Sequence, residues 1–248
     1  MLELNRLELD NGVRSRFLKT QAINPKGTII FSHGYFIGPV PYRNLLNKLS
    51  EIGYDTFALD NGGDGDYSTI SESINASRLF IEKIAKEQQR HEETYLLGHS
   101  LGGLHSLMLS DNSVALDINK TMVFAPKIPV NQVIRYEQVL CSSQFLNSLP
   151  SRQFQLMSLL YNPFEWQRQL KMYSFLNSVN DFNEQIKLKN PTQIITFEKD
   201  EFGIVLNSLK EWSEKNNCKL DDIKGVGHDH IIENQDLAHL IDNFFMNS

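Results

Sequence analysis

Short, largely apolar runs set the terms for this chain. Thr28-Ile29-Ile30-Phe31, Tyr54 to Leu59, Thr94 to Leu97, Thr121 to Ala125 and Gln193 to Phe197 are each only a few residues long. Most lack the polar–apolar alternation of a strand with one wet face, so they read as strands buried on both sides. Between them lie segments with helical spacing. From Tyr42 to Ile52, Leu45, Leu46, Leu49 and Ile52 form one stripe, and Gly53 follows as a stop. Further helices are expected over 69–89, 101–109, 204–216 and 236–245, with a short strand over Lys219 to Ile223. Residues 2–19 differ, since two alternating runs flank Asp10-Asn11-Gly12, a hairpin turn signal. Strands alternating with amphipathic helices predict an α/β fold, a mostly parallel central sheet with helices on both faces.

One segment breaks the alternation. From Ala125 to Pro191 there is no strand pattern, only helical spacing divided by Pro150, Pro163 and an Asn-rich stretch near 177–183. The expected organisation is a core of 1–125 and 191–248 interrupted by a helical cap insertion at 126–190. With 248 residues, 41% of them hydrophobic, the chain has material for one core without disulfide staples. Its two cysteines, Cys141 and Cys218, are too few for a disulfide framework.

Gly98-His99-Ser100-Leu101-Gly102 fits Gly-x-Ser-x-Gly, and Gly103 adds another small residue. A serine at a sharp strand-to-helix turn needs neighbours without side chains, and the following helix aims its amides at a developing oxyanion. This motif follows an expected strand and precedes an expected helix. It resembles the nucleophile elbow of the α/β-hydrolase superfamily, in its serine-nucleophile, esterase- and lipase-like branch with a helical cap. The resemblance runs through nearly the whole chain. His33-Gly34-Tyr35 is similar to the family's oxyanion loop, which implies that the backbone N–H groups of Tyr35 and Leu101 hold the oxyanion. Asp60 to Ser68 resembles the family's Asp- and Gly-rich loop, with one extra residue before the serine. His33 itself is expected to be structural.

The family's chain order is serine, acid, histidine. The strand and turn from Pro191 to Asp200 resemble the segment presenting the acid, which implies Asp200, with Glu198 and Glu201 as rivals. The family usually has glycine where this chain has Phe197. Gly225-Val226-Gly227-His228 resembles the loop carrying the base, which implies His228, with His230 two residues on as the other candidate. The implied catalytic set is therefore Ser100, Asp200 and His228. His99, Phe36, Trp166 and Tyr161 are expected to line the substrate pocket, though His99 could equally fill space. His91, His105 and His239 are expected to be structural or surface residues.

The insert is rich in aromatic and apolar residues such as Phe145, Met157, Phe164, Trp166 and Phe175. Most of them are expected to dock the cap, and the remainder favour a hydrophobic acyl or aryl ester or a thioester. Arg135, Arg152 and Arg168 read as solvated surface. A formal charge of −6 argues against nucleic acid as a partner. No metal or cofactor is implied, because the carboxylate spacing in 60–68 is not that of a calcium loop and His228-x-His230 has no companion ligands. The first ten residues alternate and hold no apolar h-region, and no run reaches membrane-spanning length, so a cytoplasmic protein is expected. A serine nucleophile disfavours epoxide and haloalkane chemistry, for which the family uses aspartate. Ester hydrolysis is the first expectation. Thioesterase, amidase, carbon–carbon hydrolase and acyltransferase activities use the same triad, and a non-enzymatic receptor on this fold is the reading of another class. The oligomeric state is not written in the sequence.

Overall fold

The computed structural model describes residues 3–8, 14–34, 38–59, 69–88, 93–111, 116–126, 186–200 and 206–247. Among these, the strands are β1 (Glu3–Glu8), β2 (Arg14–Thr20), β3 (Gly27–Ser32), β4 (Tyr54–Leu59), β5 (Thr94–His99), β6 (Lys120–Phe124), β7 (Thr192–Lys199) and β8 (Lys219–Gly227). The helices are α1 (Arg43–Glu51), α2 (Ile70–Gln88), α3 (Leu101–Leu109), α4 (Leu206–Lys215), α5 (His230–Glu233) and α6 (Leu237–Met246). The strands form a single sheet in the order β1-β2-β4-β3-β5-β6-β7-β8. β1 and β2 pair antiparallel with each other, and β2 pairs antiparallel with β4; every later pairing is parallel.

The continuous apolar runs have a direct cause. Along the central strands, successive side chains feed two different cores. Ile29 and Phe31 of β3, Tyr95 and Leu97 of β5, Met122 and Phe124 of β6, and Ile195 and Phe197 of β7 join α1 and α6 on one face. Ile30 and Leu96 project to the other face, toward α2, and Val123 and Ile194 toward α3 and α4. Both faces are dry, so no position on these strands favours water. α6 is seated by Phe245, whose ring stacks on Tyr95 at 4.3 Å. Lys120 donates from its Nζ to the carbonyls of Phe244, Phe245 and Asn247, a cation at the negative end of that helix.

Helix boundaries follow local chemistry. Thr69 is the N-cap of α2, its Oγ1 accepting from the Glu72 N–H at 3.2 Å. α1 buries Leu45, Leu46 and Leu49 and gives way to Gly53, whose φ of 107° disfavours any residue with a Cβ. A short 3-10 turn over Val40–Tyr42 leads into α1, and it takes Tyr42, expected as the first helical residue, out of the helix.

β8 corrects the expectation of a short strand ending at Ile223. It continues to Gly227, because a register shift between Phe197 and Lys199 lets Lys199 pair with Gly227. Lys224-Gly225-Val226-Gly227 reads as a loop in sequence, since pairing with a bulged partner leaves no apolar pattern. α5 also went unforeseen. Of the cap expected at 126–190, residues 127–185 lie outside the described residues, as do 35–37, 60–68 and 201–205. Among the described residues, no helix is long and apolar enough to cross a membrane.

Candidate active site

β5 ends at the middle of the sheet, and Ser100 is the next residue. Its φ of 56° and ψ of −123° lie outside the ordinary regions for a residue with a side chain. The Ser100 N–H still donates to the Phe124 carbonyl at 2.9 Å, so the ladder holds up to the turn. α3 then begins at Leu101, and its first turn is closed by the Gly103 N–H donating to the Ser100 carbonyl at 3.0 Å. The neighbouring glycines are required by contact. A Cβ on Gly102 would fall on the carbonyl oxygens of Ser32 and His33, and one on Gly98 would fall on the Gly102 carbonyl. The elbow therefore rests directly on the end of β3. The Leu101 amide stands at the positive end of α3, where a developing anion is favoured.

From the other half of the chain come Asp200 and His228. Asp200 closes the turn after β7, its N–H donating to the Phe197 carbonyl at 3.0 Å. Phe197 stands where the resembled family has glycine, yet the turn closes. Its ring points into the core against Phe124, 6.1 Å between centroids, and leaves Asp200 clear. His228 follows β8, and its Nδ1 lies 3.0 Å from Asp200 Oδ1, with only 5% and 8% of the two side chains exposed. A buried carboxylate at that distance favours the tautomer that carries hydrogen on Nδ1 and leaves Nε2 as a base.

The rivals stand elsewhere. Glu198 is exposed; its carboxylate accepts from the Gly225 N–H at 2.7 Å and lies 3.8 Å from Lys224 Nζ. Glu201 lies outside the described residues. The His230 ring packs edge-on to Phe197, and its Nε2 is 3.0 Å from Asn234 Nδ2. The two histidines thus take different partners, and among the described residues no three His, Cys, Asp or Glu side chains converge as a metal-binding group.

His99 is fully buried. Its Nδ1 is 2.7 Å from the Tyr42 hydroxyl and its Nε2 is 2.9 Å from the His228 carbonyl. Both ring nitrogens are therefore engaged by the protein. Of the other expected pocket residues, Phe36, Tyr161 and Trp166 lie outside the described residues, as does Tyr35 of the oxyanion loop. His33 is buried, its Nδ1–H donating to the Gly34 carbonyl at 2.7 Å. His105 is a core residue wired to Ser32, Ser73 and Ser77. His239 is exposed, and His91 lies outside the described residues.

Tyr42 was not read as a site residue. Its hydroxyl accepts from the Gly34 N–H at 3.1 Å and meets His99, while burial holds the phenol well above its ordinary titration range. The contact joins positions 57 apart, so no local pattern announces it.

Comparison with known proteins places these elements in context. Residues 23–187 match the model of a hydrolase family described as serine aminopeptidase, S33. An epoxide hydrolase from Vigna radiata superposes with a TM-score of 0.68 at 17% identity, covering 100% of this chain and 98% of that one. A naproxen esterase from Bacillus subtilis gives 0.70 at 16% identity over 99% and 92% of the two chains. An esterase from Pyrococcus furiosus gives 0.69 at 16% identity over 98% and 90%. Among curated proteins no sequence matches significantly.

Proposed function

The chain belongs to the serine aminopeptidase S33 family of α/β-hydrolases, and on that premise we propose that it cleaves carboxylic esters of a hydrophobic acyl or aryl group through an acyl-enzyme on Ser100. The observation carrying this reading is the buried Asp200–His228 contact of 3.0 Å, with the His228 ring 4.7 Å from the ring of His99, the residue just before the strained serine. Backbone strain of this kind costs of order 1–3 kcal/mol and persists where the surrounding structure enforces it, commonly at sites of chemistry.

In the proposed reaction, Ser100 Oγ attacks the ester carbonyl carbon as His228 Nε2 takes the hydroxyl proton. Asp200 keeps the ring oriented and stabilises the imidazolium. The N–H groups of Leu101 and Tyr35 hold the oxyanion, an interaction worth about 3 kcal/mol per donor. Collapse expels the alcohol, which receives the proton from His228 and leaves the acyl group on Ser100. Water, deprotonated by His228, then attacks the acyl carbon; the carboxylate departs and Ser100 recovers its hydrogen. Epoxide opening is disfavoured because position 100 holds serine, where epoxide hydrolases of this superfamily hold aspartate.

The family's description favours a second reading, hydrolysis of an amide by the same residues. Thioesters and carbon–carbon bonds fall to the same machinery, and a receptor would bind without turnover. The test is a substrate panel: p-nitrophenyl esters from acetate to laurate, aminoacyl p-nitroanilides and styrene oxide, with wild type and Ser100→Ala. The proposal expects turnover of mid-length esters that Ser100→Ala lacks. Anilide turnover alone would replace it with the amidase reading. Folded wild type that hydrolyses none of the panel, or a Ser100→Ala variant as active as wild type, would overturn it.

A further inference from the structure

We propose that Tyr42 and His99 are positioning residues that lock the start of the oxyanion loop, the serine elbow and the base into one unit; this rests on the reading of Ser100 and His228 given above. One hydrogen-bonded chain connects the three. Gly34 N–H reaches the Tyr42 hydroxyl at 3.1 Å, the hydroxyl reaches His99 Nδ1 at 2.7 Å, and His99 Nε2 reaches the His228 carbonyl at 2.9 Å.

The ends of that chain fix its direction. An amide N–H can only donate and a carbonyl can only accept. His99 therefore carries its hydrogen on Nε2, and its Nδ1 accepts from the Tyr42 O–H, which in turn accepts from Gly34. Every link is buried: Tyr42 and His99 have no exposed surface, and the backbone positions of Gly34 and His228 lie inside as well. Water cannot take the place of a missing partner there.

The attachment points matter as much as the bonds. Gly34 immediately precedes Tyr35, the proposed oxyanion donor. His99 immediately precedes Ser100. His228 is the proposed base, held by its own backbone carbonyl, while its ring sits 4.7 Å from the His99 ring, centroid to centroid. The three working groups come from three distant parts of the chain, and this relay sets their mutual distances. A misplacement of about 1 Å at such a site costs on the order of 100-fold in rate. Neither residue touches substrate, so the effect belongs to turnover and not to affinity.

The test uses the full chain with Tyr42→Phe, His99→Phe and His99→Gln. Each is compared with wild type for kcat and KM on the best ester, for the rate of labelling by a small fluorophosphonate, and for thermal midpoint. Tyr42→Phe and His99→Phe should lower kcat and labelling rate together by 10- to 100-fold, with KM within about 2-fold. His99→Gln supplies a carbonyl acceptor and an amide donor and should stay within about 5-fold of wild type. The double variant Tyr42→Phe/His99→Phe should be no worse than either single one, because both break the same relay. Folded Tyr42→Phe and His99→Phe variants that label within 2-fold of wild type would overturn the inference while leaving the Ser100 reading intact. A raised KM at unchanged kcat would also overturn it, pointing to substrate contact. Should Tyr42→Phe fail to fold, the contrast between His99→Gln and His99→Phe decides. Wild type that is never labelled would sink the Ser100 reading and this inference with it.

Discussion

Lowering the pH should weaken this fold through one buried ring. His105 sits on α3 with its Nδ1 3.0 Å from Ser32 Oγ and its Nε2 3.2 Å from both Ser73 Oγ and Ser77 Oγ. Burial, with a smaller push from His33 and opposed by its hydrogen bond at Ser73, lowers its pKa from 6.5 to about 4. Between those values the unfolded chain binds a proton that the native chain refuses. Stability is therefore present in full above about pH 6.5, falls as pH drops toward 4, and levels off below. At about 1.4 kcal/mol per pKa unit, the full shift is worth roughly 3 kcal/mol, of which about 2 kcal/mol is already lost by pH 5. The assay is urea unfolding of wild type and His105→Gln at pH 7, 6, 5 and 4.5. Gln keeps polar contacts to the serines but cannot titrate. The stability gap between the two proteins should change by about 2 kcal/mol from pH 7 to pH 5, against wild type. A gap constant over that range would refute the reasoning, since it would mean the ring binds its proton equally well folded and unfolded.

Other outcomes follow from the same geometry. Ser100→Gly should be more stable than Ser100→Ala by about 1 kcal/mol in thermal unfolding, because glycine relieves the positive φ at the elbow. Gly102→Ala should cost about 3 kcal/mol or prevent folding, as its methyl meets two backbone carbonyls of β3 that cannot swing aside; circular dichroism melts read this directly. Asp200→Asn should lower kcat by roughly 10³–10⁴ while Glu198→Gln changes it little, a contrast that steady-state ester hydrolysis resolves.

The sequence carried the fold where local chemistry repeats. Each central strand was visible as an apolar run because both its faces are covered, and α1 was visible because Leu45, Leu46 and Leu49 lie on one stripe. The elbow was legible because steric demand on Gly98 and Gly102 is strictly local. The end of β8 was not, since its last residues pair across a bulge and carry no apolar pattern. Asp200 was reachable only by resemblance, and the reason Phe197 is tolerated in place of glycine appears only once its ring is seen against Phe124. His99 shows the limit most clearly. The motif treats its position as variable, whereas its two partners, Tyr42 and the His228 carbonyl, are 57 and 129 positions away. Pairings at that range leave no mark on neighbouring residues.

The central claim is that Ser100 is a nucleophile activated by His228. Intact-mass measurement after incubation with a fluorophosphonate tests it most directly, because the reagent forms a stable covalent bond only with an activated hydroxyl. The account predicts one adduct on wild type, none on Ser100→Ala, and a rate reduced by at least 100-fold on His228→Ala. An adduct that persists in Ser100→Ala, or a folded wild type that stays unlabelled, would contradict it.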